Sequence, residues 1–176
     1  MLQALRRQLP QADLHYLADA AHAPYGDRSI DDVVQRSERV TSHLLDAGAR
    51  MVVVACNTAT TAAIGALRAR WPEVPIVGVE PGVKPAAALS PSGRIAVLAT
   101  RRTIQSSRLR SLLNMYAPGR DVVLQACPGL VEAIEAGASG AERALSLLAT
   151  YCEPLRAARV DTVVLGCTHY VFVAHH

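Results

Sequence analysis

Two stretches of this chain are close copies of one another, and they restrict its fold more than any other feature. Met51-Val-Val-Val-Ala-Cys56-Asn57-Thr58 and Thr162-Val-Val-Leu-Gly-Cys167-Thr168-His169 each run from aliphatic residues through a small residue to a cysteine and polar side chains. Apolar runs of this length, closed by turn chemistry, read as buried strands of a parallel sheet. Each cysteine then stands at the carboxyl end of its strand, where open α/β sheets place their ligands. The residues after Cys56, Thr58-Ala-Thr60-Thr61-Ala-Ala-Ile-Gly-Ala-Leu-Arg, predict a helix over 58–69 with hydroxyl side chains as N-cap candidates. A thiol at such a helix start faces unpaired N–H groups and the positive end of the dipole, which lowers its pKa. Two such thiols, one in each half of a duplicated architecture, suggest a pair of acid/base groups flanking one substrate.

A cysteine after a valine run is, on its own, a small buried apolar residue. What separates Cys56 and Cys167 from that reading is the repetition of one context, polar neighbours included. Cys127, before Pro128, and Cys152, within a helical pattern, lack the context and read as structural. No disulfide is expected, because nothing marks the chain as secreted. Zinc is not favoured either: Cys167-Thr-His169 has an unusual ligand spacing and no CxxC pair occurs.

Composition excludes several function classes. Only 4% of residues are aromatic, which argues against base-stacking or carbohydrate platforms, and the net charge of +3 is spread over many helices. That reads as a solvated surface rather than a direct nucleic-acid footprint. No apolar run approaches the length of a membrane span. The opening Met-Leu-Gln-Ala-Leu-Arg-Arg-Gln-Leu-Pro reads as an amphipathic helix rather than a signal peptide.

Helix and strand alternate along the chain. Helices are predicted at 2–9, 29–47, 58–69, about 128–136 and 140–158, with a further one ending near Ser90 and one after Thr100. Strands are predicted at Asp13–Ala18, at the first cysteine run, at Val74–Gly78, Arg94–Ala99 and Asp121–Gln125, and at the second cysteine run. This order implies βαβ crossovers and parallel sheets. Ser90-Pro-Ser-Gly93 is the best internal boundary, dividing the chain into residues 1–90 and 91–176.

The residues also carry a family resemblance. Ala23-Pro24-Tyr25-Gly26, Val54-Ala-Cys56-Asn57-Thr58-Ala59, Val77-Gly-Val-Glu80-Pro81, Ala99-Thr100 with Thr103-Ile104, Cys127-Pro128 with Leu130-Val131 and Ile134-Glu135, and Leu165-Gly-Cys167-Thr168-His169-Tyr170 occur in one order over nearly the whole chain. In these motifs it resembles the glutamate racemases of the aspartate/glutamate racemase superfamily. The resemblance implies an α/β fold of two pseudo-symmetric αβα sandwich domains with mostly parallel sheets. It implies cofactor-independent interconversion of L- and D-glutamate, in the cytoplasm, supplying peptidoglycan synthesis. Cys56 would serve as base for D-glutamate and Cys167 for L-glutamate, with His169 and Glu135 assisting the second thiol. Tyr25, Gly26, Asn57, Thr58, Thr168 and His169 match the positions that hold the substrate. Neither metal nor cofactor is implied. A homodimer is left open, and DNA gyrase enters as a partner by family analogy alone.

The chain also departs from that pattern. It has no Asp-Ser-Gly-x-Gly-Gly turn, the source of the aspartate expected to assist the first cysteine. After Tyr170 it reads Val171-Phe172-Val173-Ala174-His175-His176, where the family continues with proline and leucines. The expectation is an incomplete first domain and weak or absent activity. An aspartate or other racemase of the superfamily, or an inactive remnant with a binding role, is the alternative.

Overall fold

The computed structural model describes all 176 residues, as an α/β chain with two parallel sheets. Helix α1 (Leu2–Gln8) is followed by an irregular stretch and a short 3-10 turn at Ala20–His22. Helix α2 (Ile30–Asp46), strand β1 (Val52–Val54), helix α3 (Asn57–Arg70) and strand β2 (Ile76–Gly78) come next. Helix α4 (Val83–Leu89) leads to strand β3 (Arg94–Ala99), helices α5 (Arg101–Ile104) and α6 (Ser107–Tyr116), and strand β4 (Asp121–Ala126). The chain closes with helices α7 (Leu130–Glu135) and α8 (Ala141–Ala157), strand β5 (Thr162–Leu165) and a 3-10 turn at Tyr170–Val173.

The larger sheet has the order β4-β3-β5, all parallel, with β3 central. Its central strand shows why the sheet is covered on both faces. Ile95, Val97 and Ala99 point one way and pack with α4 and α6 through Val83, Ala86, Ala87 and Leu109. Ala96 and Leu98 point the other way, against Leu130, Val131 and Ala133 of α7 and Ala144 and Leu155 of α8. A period of two along the strand therefore fills two separate cores, each buried Ile, Val or Leu contributing about 1.5–3 kcal/mol. Helix α4 belongs by packing to this sheet, although it precedes the Ser90–Gly93 boundary.

The smaller sheet pairs β1 with β2, Val52 opposite Ile76 and Val54 opposite Gly78. Val52 and Ile76 are buried with Ala63, Ile64 and Leu67 of α3, while Val53 and Val77 on the other face remain partly exposed. Helix α2 packs beside α3; Ser29 Oγ accepts the Asp32 N–H at 3.1 Å as its N-cap, and Gly48 closes it at φ +89°.

The expected strand at Asp13–Ala18 does not form. The segment makes no ladder hydrogen bonds, and β1 pairs with β2 alone, so no strand edge partners it. Alternating apolar residues satisfy only half of what a strand needs; its backbone groups must also find partners. Several boundaries differ as well. The first cysteine strand is three residues long, α4 begins at Val83 inside the expected loop, and the region after Thr100 holds two helices rather than one.

Candidate active site

The carboxyl ends of both sheets converge on one cavity of about 360 Å³. Its wall includes Cys56 and Thr58 from the end of β1 and the start of α3, and Thr100 from the end of β3. Cys167, Thr168 and His169 follow β5, Val131 and Glu135 come from α7, and Asp19, Tyr25 and Gly26 from the loop before α2. Both repeated thiols thus reach the same space, from different sheets.

Cys56 is itself the N-cap of α3. Its Sγ accepts the Ala59 N–H at 3.5 Å and the helix begins at Asn57, so the cap is the thiol and not a threonine hydroxyl. Its titration also corrects the expectation. Burial raises the Cys56 pKa, and the N–H groups of Ala59 and Thr58 offset only part of that rise. Desolvation of the thiolate outweighs the helix terminus here. Cys167 is pushed up to about 11, first by burial and also by repulsion from Cys56, while the His169 N–H pulls the other way.

A relay stands behind the second thiol. His169 Nδ1 lies 3.8 Å from Cys167 Sγ, and His169 Nε2 lies 2.9 Å from Glu135 Oε1. The carboxylate fixes the ring and the ring faces the sulfur, an order suited to moving a proton at Cys167. No side chain makes a comparable hydrogen bond to Cys56 Sγ; the Thr58 hydroxyl, in the same wall, favours the thiolate.

The other expected positions divide. Tyr25, Gly26, Thr58, Thr168 and His169 line the cavity, and Asn57 does not. Asn57 is buried and donates its Nδ2 to the Val79 carbonyl at 3.3 Å. The Tyr25 hydroxyl is committed to Asp19 Oδ2 at 2.5 Å. Asp19 in turn accepts Arg36 Nε at 2.9 Å and Arg36 Nη2 at 2.6 Å, and the guanidinium holds its carboxyl well below the usual range. This Arg36–Asp19–Tyr25 cluster was not anticipated from sequence. Its one local sign is an acidic residue placed within Leu17-Ala-Asp19-Ala-Ala, just before the Pro24-Tyr25-Gly26 turn.

Gly26 meets Thr100 closely: a Cβ there would stand 3.1 Å from Thr100 Cβ and Cγ2. The seam between the two halves is closed further by Arg102, whose N–H donates to Gly26 O and whose Nη2 donates to Arg28 O at 2.6 Å. No arginine or lysine lines the cavity. No three His, Cys, Asp or Glu side chains converge to hold a metal ion. An acidic ligand would therefore be held by hydroxyls and backbone N–H groups.

The pattern of the Asp/Glu/Hydantoin racemase family matches residues 1–176. The chain belongs to this family. Among its racemase relatives, the glutamate racemase of Ectopseudomonas mendocina is 50% identical over 173 residues, covering 98% of this chain and 66% of that protein. That of Pseudomonas aeruginosa strain PAO1 is 47% identical over 98% of this chain and 65% of its own length. The chain spans just under two thirds of the length of these curated relatives. Among solved racemase structures, a glutamate racemase isoform from Bacillus anthracis superposes with a TM-score of 0.88 at 31% identity, over 99% of this chain and 65% of that one. The Escherichia coli glutamate racemase, crystallised with L-glutamate and an activator, gives 0.81 at 33% identity, over 99% of this chain and 66% of that one. These likenesses bear out the α/β fold with parallel sheets and the racemase lineage read from the sequence.

Proposed function

We propose that this chain interconverts L- and D-glutamate without a cofactor, by a two-thiol mechanism. The observation that carries the reading is the arrival of Cys56 and Cys167 at one cavity from two different sheets. Racemisation needs one group to remove the α-proton from one face and another to return a proton to the opposite face. As thiolate, Cys56 takes the proton of D-glutamate and Cys167, as thiol, returns one to the carbanion; L-glutamate reverses the roles. His169, held by Glu135, accepts or returns the Cys167 proton. The Thr100 and Thr168 hydroxyls and the backbone around Thr58 and Gly26 supply neutral donors for the two substrate carboxylates. The named activity of the relatives and the L-glutamate in the E. coli complex support this substrate.

Residues 1–90 and 91–176 are proposed as the two halves that carry one thiol each. Supply of D-glutamate to peptidoglycan, a cytoplasmic location, a homodimer and association with DNA gyrase rest on the family resemblance alone. The direct test is α-proton exchange of D- and L-glutamate in deuterated buffer, with Cys56→Ser and Cys167→Ser beside the parent and aspartate as a competing substrate. Exchange of both glutamate enantiomers that disappears in each mutant is the expected result. Absence of exchange from the folded parent would overturn the activity, and faster exchange of aspartate would overturn the substrate.

A further inference from the structure

We propose that Thr103 is a positioning residue for Cys56, acting through Thr58 by a buried relay of three hydroxyl groups. The proposal deepens the two-thiol reading and rests on it for its catalytic meaning. Thr58, Thr100 and Thr103 are 3%, 7% and 0% exposed, so all three hydroxyls must find protein partners. They find one another. Thr58 Oγ1 lies 2.8 Å from Thr100 Oγ1 and 3.4 Å from Thr103 Oγ1, and Thr100 Oγ1 donates to Thr103 Oγ1 at 3.1 Å. The triangle joins the first turn of α3, which carries Cys56, to the first turn of α5, in the other half of the chain.

Counting protons gives the relay its function. Three hydroxyls carry three protons, and with Cys56 protonated the triangle can use all of them internally. When Cys56 becomes a thiolate, its sulfur is a strong acceptor, and the Thr58 hydroxyl, two residues on in the wall of the same cavity, favours that charged form. Thr58 can turn its proton to the sulfur without losing a partner only if Thr100 or Thr103 donates to its oxygen instead. Thr103 is the member that does not line the cavity. It therefore serves the thiolate without competing for substrate, and its N–H anchors Thr100 Oγ1 at 3.3 Å. The titratable groups sharing the cavity with Cys56 are His15, Tyr16, Asp19 and Tyr25 from the loop before α2, Glu135 from α7, and Cys167 and His169 after β5. None of them contacts Thr103 by a hydrogen bond, so a Thr103 substitution leaves their hydrogen bonds in place.

The test is the pH dependence of iodoacetamide alkylation, followed cysteine by cysteine by peptide mass spectrometry in the full chain. Thr103→Val keeps the shape and removes the hydroxyl. It should raise the Cys56 midpoint by about one unit, read as roughly tenfold slower alkylation at a fixed pH below the midpoint, and leave Cys167 unmoved. Thr103→Ser should restore the parent profile. A Cys56 midpoint that stays put, or one that moves together with that of Cys167, overturns the relay. Should Thr103→Val not fold by circular dichroism, Thr103→Ala is read by the same two criteria. Because the readout is thiol reactivity, a relay that passes this test in a chain without α-proton exchange would sink the racemase reading alone.

Discussion

Gly166 shows how closely the fold sets the second thiol, and a single methyl group tests it. The residue precedes Cys167, and its N–H donates to Leu98 O at 2.7 Å, extending the pairing of β5 with β3. A Cβ at this position would stand 2.9 Å from Ala99 Cβ and 2.9 Å from Leu98 O, with Val97 Cγ1 at 3.4 Å. Non-bonded carbon contacts settle near about 3.5–4.0 Å, so relief requires roughly half an ångström of movement. Neither of the two nearer atoms can rotate away, one being a carbonyl in the ladder and the other a methyl fixed to the backbone. The end of β5 must therefore step off β3. Overpacking of this kind costs about 1–3 kcal/mol, which in a chain of this size lowers Tm by about 4–8 °C at the middle of the range. The same step displaces Cys167. Misplacing a reacting group by about 1 Å costs on the order of 10²-fold, so half that distance should cost about tenfold in α-proton exchange from L-glutamate. Calorimetry and proton NMR in deuterated buffer read the two effects on one sample of Gly166→Ala. A variant with unchanged Tm would refute the steric argument. One with lowered Tm but unchanged exchange would refute the link between strand register and thiol placement.

Gly65 is the contrasting case: it lies inside α3 with nothing within 4 Å of its absent Cβ, so Gly65→Ala should raise stability by about 0.5–1 kcal/mol in urea titration. His169→Asn and Glu135→Gln should lower kcat from L-glutamate by on the order of 10²-fold for the histidine and less for the carboxylate, with KM little changed. At alkaline pH the buried thiols bear on stability. Cys167, at about 11, and Cys127, at about 12, both lie above their ordinary value of 9.0, so the native state binds more protons than the unfolded one and stability present below pH 9 is lost as pH rises toward 11 and 12. Urea midpoints at pH 8 and pH 10.5 should show that loss, and Cys127→Ala should reduce it. Asp161 accepts from Ser90 Oγ at 2.6 Å, from Ser92 N at 2.8 Å, from Ser92 Oγ and from Thr162 Oγ1 at 2.8 Å; Asp161→Ala should expose Ser90–Gly93 to faster proteolysis.

What the sequence disclosed and what it withheld follow from the range of the interactions involved. Arg94–Ala99 is legible as a strand because a six-residue apolar run between turn residues has one good solution, and its alternation feeds the cores on both faces. The thiol pair is legible because one context occurs twice. Asp13–Ala18 has the composition of a strand, yet strand formation depends on a neighbouring edge, which no local pattern records. The same limit hid the Arg36–Asp19–Tyr25 cluster, whose members are brought together across 17 positions by the packing of α2 against the preceding loop. Asn57 follows Cys56 directly and carries the amide that a carboxylate site would use. The helix starts one residue earlier than expected and turns that amide to Val79 O. A shift of one residue moves a helical side chain through about 100°, enough to take it out of the cavity.

The helix terminus and the burial of Cys56 act in opposite directions, and their balance bears on how a two-thiol reaction would start. Placing a sulfur at the first turn of α3 adds N–H donors, each of which favours thiolate, but closing the cavity around it removes more hydration than those donors replace. Cys167 obeys the same balance with the His169 and Tyr170 N–H groups as its donors, and a charged Cys56 further disfavours its thiolate. Near neutral pH both groups are therefore thiols. On the two-thiol reading, the base forms together with the bound substrate: an ammonium group arriving between the sulfurs contributes the positive charge that the cavity wall, which has no arginine or lysine, does not. The expected sign is specific. Iodoacetamide alkylation of both cysteines near neutral pH, on the acidic side of their thiol midpoints, should accelerate with a small ammonium compound that lacks bulk to block them, and should not accelerate with an acetate-sized anion. Acceleration by the anion instead would mean that the thiols respond to donors released from the wall, and would refute the charge argument.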